Sequence, residues 1–335
     1  MARLTTFSRL LIVVAILGAI FFAVYKFLPG FGASAEKTTT EQTEQTTTTP
    51  AQEESTTSTR SDWGNKTDNA TPAPFDYTPP APVNGKLKGV VELGATGFNS
   101  FIVSIDNQKN WKLNKAEFGV SLVKEGLASE EDVKSGLKRY ISDMVAYGVG
   151  ARDIHFVVSS GAQKEPIMPK INAALKGMGY FVNIVTPEQE ARYALKAALP
   201  RDYNNRAYVV DIGSGNTKIS WLPNGAIEAP GAKYYQNNLS ADAVFSEVKS
   251  KAAKVPSNLR KTCFIIGGVP FELAKQTRNG KERYTVLKAP AGYTAEGAKQ
   301  EAGLNIYAAL KDGTSTEQFV FDWDANFTIG FLLGL

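Results

Sequence analysis

The chain has 335 residues, with 37 Lys and Arg against 33 Asp and Glu, a formal charge of +4. So even a balance, with no basic cluster, argues against a nucleic-acid surface, while 43% hydrophobic residues are enough to build a real core. A single cysteine, Cys263, and a single histidine, His155, exclude an internal disulfide, a cysteine zinc site and a histidine metal cluster. His155 lies in the strand-like run DIHFVVSS, which reads as a packed histidine and not as part of a Ser-His-Asp triad.

At the N-terminus, MARLTTFSR carries Arg3 and Arg9, and LLIVVAILGAIFFAVY follows without a charge before Lys26. With FLPGF the stretch approaches the ~20 apolar residues that cross a bilayer. Residues 1–9 therefore read as a short tail and 10–29 as a transmembrane anchor in contact with the lipid bilayer. Basic residues before the span and Glu36, Glu41 and Glu44 after it place the N-terminus in the cytoplasm and the rest outside. The alternative is secretion after signal-peptide cleavage near Ala35, since Ala33-Ser34-Ala35 resembles a cleavage site. Residues 30–84 are rich in Thr, Glu, Gln and Pro and too poor in apolar side chains to offset the entropy of ordering, so they read as a disordered linker. Its root-mean-square reach is ~40 Å.

Folding proper is expected from Gly85, with a first α/β domain over 85–203 and a second over 204–335. Residues 89–105, GVVELGATGFNSFIVSI, read as strand, glycine turn, strand. Residues 209–221, VVDIGSGNTKISW, repeat the pattern: two valines, an acid, an apolar residue, glycine, a small-residue turn and a second apolar strand. Between the hairpins, SEEDVKSGLKRYISDMVAYGV has Ser129 as N-cap and apolar residues at Val133, Leu137, Ile141 and Val145, the spacing of an amphipathic helix. A strand (DIHFVVSSG), a helix (PKINAALKGMGY), a strand (FVNIVT) and a helix (TPEQEARYALKAAL) follow. Thr186, Pro187 and Gln189 form a capping-box start for the last of these. After the second hairpin come a helix (SADAVFSEVKSKAAKV), a strand ending in glycines (TCFIIGGVP), a helix (AEGAKQEAGLNIYAALKD) and a terminal apolar segment.

An acid at the end of a strand, followed by a bare-backbone turn, has a chemical use. Glycines leave backbone N–H groups uncovered so that a phosphate can approach, and the carboxylate can hold a magnesium ion beside it. Two such hairpins facing one cleft would clamp a phosphate chain; the plain alternative for each is an ordinary tight turn.

The segments VELGATGF, FGVSLVKEGL, FVVSSGAQ, FVNIVTPEQEAR, YVVDIGSGNTKIS and FIIGGVPFELA occur in the order of the exopolyphosphatase and guanosine-pentaphosphate phosphohydrolase family, which the chain resembles from about residue 88 to its end. That family lies within the superfamily of actin, sugar kinases and the Hsp70 ATPase. The resemblance implies an α/β fold of two ribonuclease-H-like domains flanking a cleft that takes polyphosphate or another phosphorylated ligand. It implies Glu190 as the base that activates water, and Glu92 and Asp211 as ligands of Mg2+. It also implies two phosphate-binding turns, Gly94, Ala95, Thr96 and Gly97 in the first hairpin and Gly213, Ser214, Gly215, Asn216, Thr217 and Lys218 in the second.

Four departures bear on chemistry. Glu92 stands where the family has aspartate, one methylene longer where magnesium needs tight geometry at ~2.1 Å. Ala95-Thr96-Gly97 offers fewer side-chain donors. Gln163 replaces a phosphate-binding arginine, and Lys218 replaces a metal-linked glutamate. Hydrolase and binding module therefore both follow from the sequence: a membrane-tethered exopolyphosphatase, or a catalytically impaired domain that binds a phosphorylated ligand or docks a protein partner or a second copy. An actin-like filament former fits the segments between the hairpins less well.

Overall fold

The structure, a computed structural model, describes residues 73–94, 98–119 and 130–335. The expected anchor at 10–29, the turn residues Ala95, Thr96 and Gly97 and the N-cap Ser129 lie outside the described residues. Among the described residues no helix is long and apolar enough to cross a membrane.

The first half contains β1 (Lys86–Leu93), β2 (Phe98–Ile105), β3 (Trp111–Phe118), α1 (Glu130–Tyr147), β4 (Ile154–Val158), α2 (Met168–Gly177), β5 (Val182–Ile184) and α3 (Pro187–Ala198). In the second half come β6 (Ala207–Ile212), β7 (Asn216–Trp221), β8 (Gly225–Pro230), α4 (Ala241–Ala252), β9 (Thr262–Gly267), α5 (Gly268–Lys275), β10 (Tyr284–Val286), α6 (Ala298–Thr314), β11 (Gln318–Asp322) and α7 (Phe327–Leu333). Each half forms one mixed sheet. The first runs β3-β2-β1-β4-β5 and the second β10-β11-β9-β6-β7-β8. Reading the second from β8 to β11 gives the same order and the same strand directions as the first, antiparallel up to the central pair and parallel beyond it. The repeat visible in the two hairpins is thus a repeat of the whole sheet, with β10 added at one edge.

Strand periodicity decides which side chains meet. Val91 and Leu93 of β1 enter a core under α1 and α2, with Val133, Leu137, Ile171 and Leu175. Tyr208, Val210 and Ile212 of β6 enter a second core with α4 and α6. The alternate residues, Val90 of β1 and Ala207 and Val209 of β6, join a third core between the sheets, with Val157 of β4 and Phe264 and Ile266 of β9. Glu92 continues the series of Val90, and Asp211 that of Val209, so both acids top the shared core.

Two helices fill the space between the sheets. Residues of α3 (Ala194, Leu195, Ala198) and α7 (Phe327, Ile329, Leu332) belong to the central core. They approach so closely that a Cβ on Gly330 would lie 1.8 Å from the Tyr193 carbonyl oxygen. The helix expected after Ser129 forms with a rotated face. Its buried residues are Val133, Leu137, Tyr140 and Met144, while Val145 is 47% exposed. The α-helical repeat carries the stripe from Leu137 to Tyr140 and Met144, three and seven positions on, so the large side chains at those positions outcompete Val145.

Residues 73–84, which the sequence reading assigns to the tether, lie against the body without forming a helix or strand. The Phe75 ring packs against Tyr203, Phe264 and Tyr284 at centroid distances of 5.4, 5.6 and 5.5 Å, and Tyr77 against Tyr203 and Tyr284 at 5.7 and 5.8 Å. Further along, the Val83 N–H donates to Asp106 at the end of β2 at 3.0 Å. Two aromatic rings in a proline-rich stretch supply the apolar area that the rest of the linker lacks.

Gly330→Ala should therefore destabilise the fold by about 1–3 kcal/mol, the usual range for overpacking. A lower urea midpoint with an unchanged slope would show it.

Candidate functional site

A cavity of about 330 Å³ opens over the central core. Its lining includes the ends of β1 (Glu92, Gly94) and β6 (Asp211, Gly213), the turn Ser214-Gly215-Asn216 and Lys218 of β7. Glu190 of α3 and the glycine pair Gly267-Gly268, where β9 ends and α5 begins, complete this polar side. Aromatic side chains, among them Phe118, Phe271 and Trp323, form another wall.

Local sequence explains how each acid arrives. Glu92 pairs with Asn99 across the β1–β2 ladder, and Asp211 pairs with Lys218 across β6–β7. The two registers are equivalent, so Asn99 and Lys218 hold matching places opposite their carboxylates. Glu190 comes from the first turn of α3, whose start is held by a complete capping box: the Gln189 N–H donates to Thr186 Oγ1 at 3.2 Å and the Thr186 N–H to Gln189 Oε1 at 2.9 Å.

Glu92 and Glu190 are held by protein hydrogen-bond donors, whereas Asp211 has, among the described residues, only an ion pair at longer range. Glu92 Oε2 accepts from Asn99 Nδ2 and from Asn326 Nδ2, both at 3.0 Å. Glu190 Oε2 accepts from the Ser160 N–H at 3.0 Å and from the Ser160 hydroxyl. Its other oxygen, Oε1, accepts from Lys218 Nζ at 2.7 Å. The same ammonium stands 3.9 Å from Asp211 Oδ2. Asn216 extends the network by donating to Ser160 Oγ at 3.2 Å and to Glu228 Oε1 at 2.7 Å. Ser160 follows β4, whereas Asn216 and Lys218 lie on β7, so the network joins the two halves.

Burial sets the electrostatics. Glu190, Asp211 and Lys218 are 3%, 7% and 3% exposed. Desolvation pushes the Glu92 carboxyl up to about 7, against the pull of the Asn99 and Asn326 hydrogen bonds and with the help of Glu190 and Asp211. Desolvation likewise raises Asp211 although Lys218 draws it down. For Lys218, burial works against the charged form, but Asp211 and Glu190 outweigh it and the pKa is raised. The ammonium therefore keeps its charge, and its closer partner is Glu190.

This donor set does not fit the expected magnesium ion. A hard divalent cation needs open carboxylate oxygens in octahedral array, but a buried ammonium stands against Glu190 and Asp211 and two amides take up a Glu92 oxygen. Among the described residues no set of three His, Cys, Asp or Glu side chains is placed to hold a metal ion. Lys218, read from the sequence as part of the phosphate turn, points into the acid cluster, against the carboxylates of Glu190 and Asp211.

The other expected site residues divide. Gly94, Gly213, Ser214, Gly215 and Asn216 line the cavity. Thr217 does not: fully buried on the face opposite Lys218, it donates to the Pro230 carbonyl at 2.8 Å. Gln163 also turns away, donating to the Val185 carbonyl at 2.6 Å. The neighbour that reaches Gly215 is Gly161 of the turn after β4, 3.6 Å from a Cβ built at Gly215. Ser160, Asn99, Asn326 and the Gly267-Gly268 pair are additional site residues. The SSG and IIGG runs at strand ends were the available signal for two of these, while nothing local marks Asn99 or Asn326. His155 is a strand residue as expected, half-buried 5.9 Å from the Phe331 ring, with its pKa lowered chiefly by burial.

Solved structures share this fold. A Ppx/GppA family member from Aquifex aeolicus matches with a TM-score of 0.57 at 17% identity, over 74% of this chain and 97% of its own. An exopolyphosphatase from Cytophaga hutchinsonii matches with a TM-score of 0.59 at 15% identity, over 75% and 99%. The fold is that of the Ppx/GppA proteins. An exopolyphosphatase-like protein gives the same picture, with a TM-score of 0.59 at 12% identity over 75% and 97%. By sequence, no family model and no curated protein matches the chain. The Ppx/GppA architecture is therefore carried here at low identity, with an acid cluster that is closed upon a lysine.

Because the Glu92 pKa in the fold, about 7, lies above its ordinary 4.5, the native state takes up a proton across that window. Stability should fall as pH rises from about 4.5 to 7 through this group. Asp211, also raised by burial, acts in the same direction. Glu92→Gln should flatten the fall, which melting temperatures at pH 5 and pH 8 would reveal.

Proposed function

We propose that this chain binds a phosphorylated ligand in the cleft of a Ppx/GppA-like fold without hydrolysing it. One observation carries the reading: both oxygens of Glu190 are taken, one by Lys218 and the other by Ser160. With both oxygens already accepting from protein donors, neither is left directed at a water in the cleft. Lys218 also takes the place beside Glu190 and Asp211 that a water-activating metal would need.

The anion-binding parts remain. The Gly213 N–H and carbonyl and the Ser214 carbonyl are used inside the structure, bonding Asn216, Ala232 and Lys233. Among the described residues, the Ser214 and Gly215 N–H groups have no backbone acceptor. Gly267, at φ +111°, takes a conformation that side chains rarely adopt; a Cβ there would also lie 2.3 Å from the Ile212 carbonyl oxygen. The turn it makes leads into the N-terminus of α5, which has no side-chain cap. Uncapped N–H groups at a helix start favour an anion. The neighbours named as exopolyphosphatases point to polyphosphate or a related phosphoanhydride as the chemical class. The apolar run at 10–29 supports presentation of this module beyond the cytoplasmic membrane, and a reporter fused after Leu335 tests that placement.

Incubated with magnesium and polyphosphate, the purified protein should release no phosphate above the buffer rate. Tripolyphosphate should raise its melting temperature, and Gly215→Val, which narrows the approach to the turn, should reduce the rise. Turnover abolished by Glu190→Gln would overturn the binding reading in favour of a hydrolase.

A further inference from the structure

We propose that Lys218 is a built-in cation standing in for a divalent metal, so that this cleft recognises its ligand without metal and a single substitution reopens a metal site. The ligand half of this statement rests on the reading above; the metal half does not.

In matching registers, Glu92 faces Asn99 and Asp211 faces Lys218. The first half thus meets its acid with a neutral amide, and the second with a positive charge. Lys218 comes from the middle of β7, buried like its neighbours, so its stem is held and its ammonium is delivered to one place. That place is defined on three sides: Glu190 Oε1 at 2.7 Å, Asp211 Oδ2 at 3.9 Å, and 3.4 Å from a Cβ built on Gly213, the root of the glycine turn. A cation bridging two carboxylates beneath a phosphate-binding turn needs this position.

A divalent ion placed between the same carboxylates would stand beside a buried like charge, where low dielectric makes repulsion strong. Lysine, a compact point charge, can neutralise the acids and draw an anion towards the turn, but it offers no open coordination position. The two cations are therefore mutually exclusive here. Replacing Lys218 with glutamate would put a third carboxylate beside Glu190 and Asp211, with Glu92 in the same cavity, an all-oxygen set suited to a hard cation.

The test uses the full chain, with Mn2+ alone as the metal probe. Wild type should show neither stoichiometric Mn2+ binding by titration calorimetry nor a melting shift with Mn2+. Lys218→Glu should bind one Mn2+ per chain, roughly tenfold or more tighter than wild type, and melt higher when it is added. If that variant does not fold, Lys218→Met serves: it should melt below wild type at neutral pH, since its carboxylates lose their counter-charge, and recover with Mn2+. In a separate arm, tripolyphosphate should bind wild type equally in EDTA and in magnesium. Stoichiometric Mn2+ binding by wild type that Asp211→Asn removes would overturn the proposal, as would folded Lys218 variants indifferent to Mn2+. Failure of tripolyphosphate to bind under any condition removes the phosphate reading and leaves the metal arm to decide on its own.

Discussion

A buried ammonium has to be paired, and the contact of Lys218 with Glu190 and Asp211 is the interaction around which this cleft is organised. Neither partner is tolerable alone at this depth, because removing one leaves an uncompensated charge in a low-dielectric setting. The pairing also reaches across the molecule. Glu190 comes from a helix of the first half and Lys218 from a strand of the second, and the Ser160–Asn216 bond runs alongside. The electrostatic cluster and the apolar core beneath it therefore hold the same two sheets together, one by charge and the other by burial.

The convergence of the acids follows from elementary strand geometry. Successive side chains point to opposite faces, so Glu92 shares its face with Val90, and Asp211 with Val209. Those are the faces that meet at the central core. A slip of one residue in either strand would send the carboxylate into an outer core and bring Val91 or Val210 to the cleft. Duplication of the sheet then does the rest, since equivalent strands present equivalent positions to the same gap. The inheritance is uneven, however. Asn99 meets Glu92 as a neutral donor while Lys218 meets Asp211 as a cation, so the two equivalent hairpins differ in the charge they set against their acids.

Around the polar cluster the cleft is bounded by packing of another kind. Phe118 of β3 stacks near Phe271 of α5 at 5.9 Å, and Phe271 meets Trp323 at 5.3 Å. Trp323 is itself fixed by a hydrogen bond from Nε1 to Thr285 and by the Arg278 guanidinium, 3.9 Å from its ring centroid. Away from the cleft, Arg283 pairs with Asp322 through two 2.9 Å bonds and lies 4.3 Å from the ring centroid of Trp111. These contacts tie β3 to the second half along much of its length. The stretch at 73–84 adds a further tie, with Phe75 on the second half and Val83 on the first.

Much of this was written in the local sequence. Valine-rich runs ending in an acid and glycine specified the two central hairpins, and Thr186-Pro187 with Gln189 specified the start of α3, because strand alternation and helix capping act over a few residues. The spacing of apolar residues also marked α1, although it misjudged the face, since the large side chains of Tyr140 and Met144 took the buried side. The edge strands β3, β8 and β10 were harder to read: WKLNKAEF of β3 is half-exposed and charged, so it has little apolar pattern to betray it. What tertiary structure alone decided was the direction of single side chains whose partners are distant in the chain. Lys218 is 28 residues from Glu190 and Asn326 is 234 from Glu92, and no local rule says whether a strand lysine points to solvent or into a cluster of acids. That choice depends on where the two sheets place their charges, because a charge is tolerated in the interior only where an opposite one has already been brought.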